Sequence, residues 1–151
     1  MKDTHLWNQA KAVHIQTGPD ITGGFDIGFD EKIPEETQAA LMRFVYWVED
    51  NFSIPVTLWV DFKYNHYLRT RDGKPVGYKF YWADFTTFPV FDNYDDIPVI
   101  ELPVRTEHST LEEILRSFAE GISDYYRWLS GSTQAPDPAE TEAVLEAYFN
   151  S

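Results

Sequence analysis

One predicted helix carries two carboxylates and a glycine at positions that weaken it. Glu120 and Asp124 are four residues apart, so their side chains lie on successive turns of the same helical face. Like charges at that spacing destabilise a helix by a few tenths of a kcal/mol, and Gly121 costs about 1 kcal/mol relative to alanine. Two adjacent carboxylates could act as an acid–base pair or bind a hard cation through oxygen. The alternative is structural: Arg116 and Arg127 neutralise the carboxylates, and Gly121 admits a neighbouring side chain.

The helix around these residues resembles the motif helix of a family of small, mostly uncharacterised bacterial zincin-like proteins, which reads approximately S-x-A-H-E-x-x-H-Y-x-Q-W. The corresponding stretch is Ser117-Phe118-Ala119-Glu120-Gly121-Ile122-Ser123-Asp124-Tyr125-Tyr126-Arg127-Trp128, in which Ala119, Tyr125 and Trp128 match. An earlier stretch, from Ile33-Pro34-Glu35-Glu36 to Tyr46-Trp47-Val48-Glu49, resembles the first helix of that family. The order of elements is similar too: a strand, a helix opening with Pro-Glu-Glu, a strand, a hairpin, an edge strand and the motif helix. The resemblance covers roughly residues 20–130.

The residues that would carry peptidase chemistry differ from the family pattern. In H-E-x-x-H, two imidazoles one helical turn apart bind Zn2+, and the glutamate beside the first activates water. The resemblance places Glu120 at the first histidine, Gly121 at the catalytic glutamate and Asp124 at the second histidine. Glycine has no side chain and cannot act as a general base. The resemblance therefore implies a zincin-like fold with no catalytic residue, no bound zinc and no cofactor.

We predict that one flank of this helix lines a vestigial groove. Its residues are Ser117, Glu120, Gly121, Asp124, Tyr125 and Trp128. A hard cation could still bind Glu120 and Asp124, with Glu140 or Glu142 as the later glutamate that the resemblance implies, although such a site needs six or more oxygen ligands or retained waters. The four histidines, His5, His14, His66 and His108, have no spacing typical of a metal site.

Hydrophobic periodicity predicts an α+β fold. The predicted sheet is largely antiparallel and has four to five strands. The candidate strand segments are 11–16, 25–29, 56–64, 66–71, 76–82 and 97–104. Arg71-Asp72-Gly73-Lys74 is typical of a hairpin turn, and Pro98 with Pro103 indicates an edge or irregular strand.

Two long helices are expected to pack on this sheet. The first opens at Pro34 and ends before Pro55, and the second begins at a Ser109–Glu112 capping box and ends at Gly131. A short last helix is capped by Asp137. The predicted organisation is a flexible N-terminus over 1–10, one α+β domain over 11–130, and a linker with a short helix over 131–151.

Charge narrows the classes of partner. The chain has 151 residues, with 12 lysines and arginines against 25 aspartates and glutamates, a formal charge of -13. This balance argues against nucleic acid and against anionic membranes as partners. Cysteine is absent, which excludes disulfides and thiolate metal sites. The polar start of the chain lacks the apolar core of a signal peptide, so a cytoplasmic protein is expected.

A local basic cluster interrupts the acidic chain. It comprises Lys63, Arg69, Arg71, Lys74 and Lys79, with Tyr64, Tyr67, Tyr78 and Tyr81 interleaved. The pattern is compatible with a hairpin that binds an anion or a single-stranded nucleic acid, but the negative charge of the chain favours a charged outer sheet face that prevents edge aggregation. The loop 84–96 carries Asp84, Asp92, Asp95 and Asp96, which could contact the basic hairpin of a second copy or a basic partner protein.

Three functions fit these observations. The first is a catalytically inactive, zincin-like domain, or pseudo-metallopeptidase, with a binding or structural role. The second is an acidic protein-binding module of the immunity or inhibitor type, since complementary charge accelerates association with a basic target. The third is a hydrolase that uses Glu120 and Asp124 as an acid–base pair, which requires environments that separate their pKa values.

Overall fold

The computed structural model describes Trp7 and residues 23–64, 77–84, 96–107, 109–131 and 137–151. The elements are β1 (Phe25–Phe29), α1 (Glu35–Asn51), β2 (Leu58–Lys63), β3 (Lys79–Asp84), β4 (Asp96–Pro103), α2 (Leu111–Ser130) and α3 (Pro138–Phe149). They confirm the predicted α+β class, with four strands and two long helices. The predicted strands over 11–16 and 66–71, the Asp72-Gly73 turn and most of the acidic loop lie outside the described residues.

The sheet is mixed, with strand order β1-β2-β4-β3. β1, β2 and β4 run parallel, and only β3, at one edge, is antiparallel to its neighbour β4. The prediction of a largely antiparallel sheet is therefore wrong. Helix α1 connects β1 to the parallel strand β2, and β4 lies between β2 and β3. Residue alternation indicates which face of a strand is buried, but it carries no information on strand direction.

Strand β4 lies inside the sheet, so the edge position predicted from its prolines is also wrong. Pro98 has a strand partner only in β3, because pairing with β2 begins at Val99. Pro103 has a partner only in β2, because pairing with β3 ends at Glu101. Each proline therefore lies where one side of the strand needs no backbone N–H donor, which is how an interior strand can tolerate both.

The helix ends follow local sequence signals. Thr110, rather than the predicted Ser109, caps α2: its hydroxyl accepts from the Glu113 backbone N–H at 3.2 Å, and the Glu113 carboxylate accepts from the Thr110 N–H at 3.3 Å. The capping box is thus present one residue later than expected. Gly131 ends α2 in the left-handed conformation, with φ of 71°, and Asp137 caps α3 through the Ala139 N–H.

Both long helices pack on one face of the sheet, and Phe118 lies at the centre of this core. Its ring centroid is 5.9 Å from Phe25 of β1, 5.5 Å from Phe44 of α1 and 5.4 Å from Phe62 of β2. Helix α3 belongs to the same core through Val144 and Leu145. The core thus continues past residue 130, where the sequence predicts a linker and an appended helix.

Trp7 is the one described residue of the predicted flexible N-terminus, and it is helical and fully buried. Its indole N–H donates to Ser123 Oγ at 2.9 Å, and its ring lies 5.0 Å from Phe52 and 5.2 Å from Tyr126. Trp7 thus belongs to the core, and the other residues of the segment 1–10 lie outside the described residues. Among the described residues, no helix has the length and apolar character needed to cross a membrane.

Candidate functional site

The candidate flank of α2 faces the segment that leads into β3. Gly77 is packed closely against Ser117: a Cβ atom on this glycine would meet the serine Oγ and lie 3.1 Å from the serine Cβ. The ring of Tyr78 lies against Gly121, where an added Cβ would be 3.3 Å from the tyrosine Cδ2. The segment Gly77–Tyr78 therefore forms a wall against the flank that the resemblance singles out.

Asp124 has two partners: Tyr78 on this wall and Arg127 on its own helix. The Tyr78 hydroxyl donates to Asp124 Oδ2 at 2.5 Å, and Arg127 Nη2 lies 3.5 Å from Asp124 Oδ1. The Asp124 side chain is only 14% exposed. Burial and the adjacent Asp124 carboxylate raise the pKa of Tyr78, so its hydroxyl stays protonated and remains a donor. Both carboxylate oxygens of Asp124 are thus engaged within the protein.

Gly121 is explained by packing. A Cβ at this position would lie 3.1 Å from Ile100 Cδ1 and 3.2 Å from Ile100 Cγ2, besides the contact with Tyr78. The glycine thus allows β4 and the segment before β3 to approach α2, which offsets its cost to the helix. This contact supports the structural alternative for the glycine, in which it admits a neighbouring side chain.

Glu120 lies on the exposed side of the same flank. Partial burial raises the pKa of its carboxyl group, nearby Asp124 and Glu142 raise it further, and Arg116 opposes the shift. Arg116 is itself paired with Glu142, its Nε being 2.8 Å from Glu142 Oε1. The two candidate carboxylates therefore differ: Asp124 is held against Tyr78, and Glu120 faces solvent in a negative environment.

The remaining predicted groove residues point elsewhere. Tyr125 is buried, and its hydroxyl accepts from the Val56 N–H at 3.0 Å and donates to the Val56 carbonyl. Trp128 is 40% exposed, with its ring centroid 6.1 Å from that of Tyr125. Among the described residues, Ser117, Gly121 and Asp124 contact the wall, whereas Tyr125 lies in the core and Glu120 and Trp128 are exposed.

The acidic residues proposed for a hard cation are not brought together. Among the described residues, no group of three or more histidine, aspartate or glutamate side chains could hold a metal ion. Glu140 is buried in the first turn of α3, whereas Glu142 pairs with Arg116. The set of Glu120, Asp124 and Glu140 is therefore not a metal site in this geometry.

Sequence reasoning missed Tyr78 as a residue of the site. It lies 46 positions before Asp124 in the chain, and the sequence places it only among the tyrosines of the basic cluster. Within that cluster Lys79 lies over the Tyr81 ring at 5.7 Å, and the Tyr81 hydroxyl donates to Glu101 at 2.7 Å. Both described tyrosine hydroxyls of β3 and its approach thus bind carboxylates of this chain.

Comparisons of the chain with protein-family models, with curated proteins and with solved structures give no match. The contacts of α2 with its neighbours and the distribution of charge are the observations on which a function can be argued.

Replacing Glu120 by glutamine is expected to raise the melting temperature at neutral pH. The raised pKa means that the folded chain binds this proton more tightly than the unfolded chain does, so the ionised carboxylate disfavours folding. The gain should be present above the folded-state pKa and should disappear well below pH 4.5, the usual value, where both states are protonated. Thermal melts of E120Q and wild type across pH measure it; an unchanged or lower melting temperature at neutral pH would contradict the assigned environment.

Replacing Tyr78 by phenylalanine is expected to lower the free energy of unfolding by about 1–2 kcal/mol, because Asp124 loses a donor to a half-buried carboxylate. Urea denaturation measures the change. The matched control is Tyr46→Phe, since the Tyr46 side chain is 59% exposed and should be insensitive to loss of its hydroxyl. Equal stability of Y78F and Y46F would show that the Tyr78–Asp124 bond contributes nothing.

Proposed function

We propose that this chain is a catalytically inactive, zincin-like domain that acts by binding a basic partner protein. The order of described elements supports the zincin-like part: strand, helix preceded by Pro34 and opening with Glu35 and Glu36, strand, two further strands and the motif helix α2. The order differs in one respect: the strand directly before the motif helix, β4, is interior, and the antiparallel edge strand is β3, whose approach contacts the motif helix. The proposal thus rests on the resemblance together with this arrangement.

The observation that carries the inactive part is the position of Tyr78. Its ring fills the space beside Gly121, where the family pattern has its general base, and its hydroxyl binds Asp124, where the pattern has a zinc ligand. An added Cβ at position 121 would already lie 3.1 Å from Ile100, so a side chain there requires Ile100 or Tyr78 to move. The proposal therefore treats this flank as packing between α2 and the sheet.

The same contacts argue against a hydrolase based on Glu120 and Asp124. Both oxygens of Asp124 already face Tyr78 or Arg127, so the carboxylate would have to break two interactions to reach a substrate. A general base must lie within hydrogen-bond reach of the proton that it removes. Glu120 alone on an exposed flank lacks the second group that such a mechanism needs.

Charge supports binding to a basic protein. The formal charge of -13 creates a negative field that would accelerate encounter with a basic partner and weaken with salt. The same charge favours a second candidate, an acidic module of the immunity or inhibitor type with no relation to peptidases. A basic enzyme that loses activity in a stoichiometric complex with this chain would favour that second candidate.

Zinc content and peptidase activity together test the proposal. Purified chain is incubated with zinc chloride, desalted and assayed for zinc and for cleavage of casein, beside the double variant E120A/D124A. We expect equally low, substoichiometric zinc in both proteins and no cleavage by either. One zinc per chain in the wild type that is lost in the double variant, or casein cleavage that depends on these residues, would overturn it.

A further inference from the structure

A groove between α1 and the end of α3 is lined mainly by aromatic side chains. It has a volume of about 520 Å³. The lining residues, here called the aromatic groove, are Arg43, Tyr46, Trp47, Asp50, Tyr148, Phe149 and Ser151. None of them belongs to the flank of α2 considered above.

The aromatic rings of this groove are held by packing yet remain accessible. The Tyr148 ring lies 4.9 Å from Phe44 of the core in a perpendicular arrangement and 5.4 Å from Trp47. Phe149 lies 5.4 Å from Tyr148. Tyr46 is 59% exposed and Phe149 is 51% exposed, the two highest values among the exposed large apolar side chains of the described residues. The groove is thus preformed, with π faces and edges available to a ligand.

The charged side chains of the groove are one carboxylate and one guanidinium, and the two helix ends beside it add negative partial charge. Both α1 and α3 end beside it, and neither helix has a basic residue in its last turn, so no side-chain cation there offsets the negative end of either helix dipole. Asp50 adds a carboxylate at the end of α1. The single cation of the lining, Arg43, lies about two helical turns from Asp50, which is about 10 Å along the axis.

We propose that the aromatic groove binds an arginine or lysine side chain of the basic partner protein. Aromatic faces attract a cation through their quadrupole, and a nearby carboxylate and two negative helix ends strengthen the same preference. A basic partner would also be steered toward a chain of charge -13. This inference rests on the binding part of the proposed function and names the surface that would carry it.

A peptide pair tests the inference on the full chain. The probe is a nine-residue peptide of alternating glycine and arginine, and its control replaces each arginine by citrulline, which keeps the shape and removes the charge. Amide chemical shifts of isotope-labelled protein locate and quantify binding. We expect the arginine peptide to shift resonances of the groove and to bind about tenfold more tightly than the citrulline peptide.

Four variants separate the groove from general electrostatics. Phe149→Ala should weaken binding of the arginine peptide about tenfold, whereas Leu111→Ala, at another exposed apolar residue, should not. Asp50→Asn should weaken binding of the arginine peptide more than Asp26→Asn does. The second variant removes the same charge at an exposed position of β1. Equal binding of both peptides, or equal effects of the two variants in each pair, would contradict the proposal that the aromatic groove binds a cationic side chain. That outcome leaves the inactive, zincin-like part of the proposed function standing, since the zinc and peptidase results decide that part.

Discussion

Replacing Trp7 by alanine is expected to lower the free energy of unfolding by about 3–5 kcal/mol. Trp7 is fully buried, and its indole packs on Phe52 and Tyr126 while donating a hydrogen bond to Ser123. Truncation would leave a large cavity between α2 and the end of α1 and would remove the donor to a buried hydroxyl. Urea denaturation followed by circular dichroism gives the free energy directly.

Two controls distinguish this effect from a general loss of tryptophan. Trp7→Phe keeps an aromatic ring in the site, so it should cost clearly less than W7A. Trp128→Ala removes an indole that is 40% exposed and should cost less still. Truncating a buried aromatic residue usually costs more than about 1 kcal/mol. If the free energy of unfolding of W7A lies within about 1 kcal/mol of the wild-type value, Trp7 is therefore not part of the core in solution.

Replacing Gly121 by glutamate is expected to cost about 3 kcal/mol or more, although it restores the residue found in the family pattern. The position is buried, and even a Cβ would lie 3.1 Å from Ile100 and 3.3 Å from Tyr78. A glutamate there would overpack the contact between α2 and the sheet and bring a carboxylate beside Asp124 without a partner. Thermal and urea denaturation of G121E measure the loss.

The matched control for G121E is Gly121→Ala, which adds only a Cβ atom. Its gain in helix propensity of about 1 kcal/mol is expected to be offset by the close contact with Ile100, so its net effect should be small. G121E as stable as G121A would mean that the flank is open and that a side chain at position 121 can reach solvent. That result would favour an intact groove over the packed wall described above.

Much of the helical part of this fold could be predicted from the sequence, because helix signals are local. The 3.6-residue period, Pro34 before the first turn and Gly131 after the last turn each act within a few residues of the helix they delimit. The predicted capping box was one residue too early, because Ser109 and Thr110 carry the same hydroxyl group at neighbouring positions. Only the backbone conformation decides between them.

The sheet and the site depend on contacts between distant residues, and these were not predictable. The direction of β4 and its place inside the sheet depend on its pairing with β2 and β3, and the two prolines fit because each lies at the end of a different pairing. Trp7 and Ser123 are separated by 116 positions, and Tyr78 and Asp124 by 46. An isolated tryptophan in a polar segment and a tyrosine after a glycine carry no signal of the partner that they bury against.

The position of Tyr78 relative to α2 tests the central claim most directly. In isotope-labelled wild-type protein with one equivalent of zinc chloride, we expect nuclear Overhauser contacts between the Tyr78 ring protons and the Gly121 α protons. We also expect no zinc-dependent shifts at Glu120 or Asp124. Loss of the Tyr78–Gly121 contacts together with saturable zinc shifts at both carboxylates would contradict the claim, because the flank would then open and bind metal.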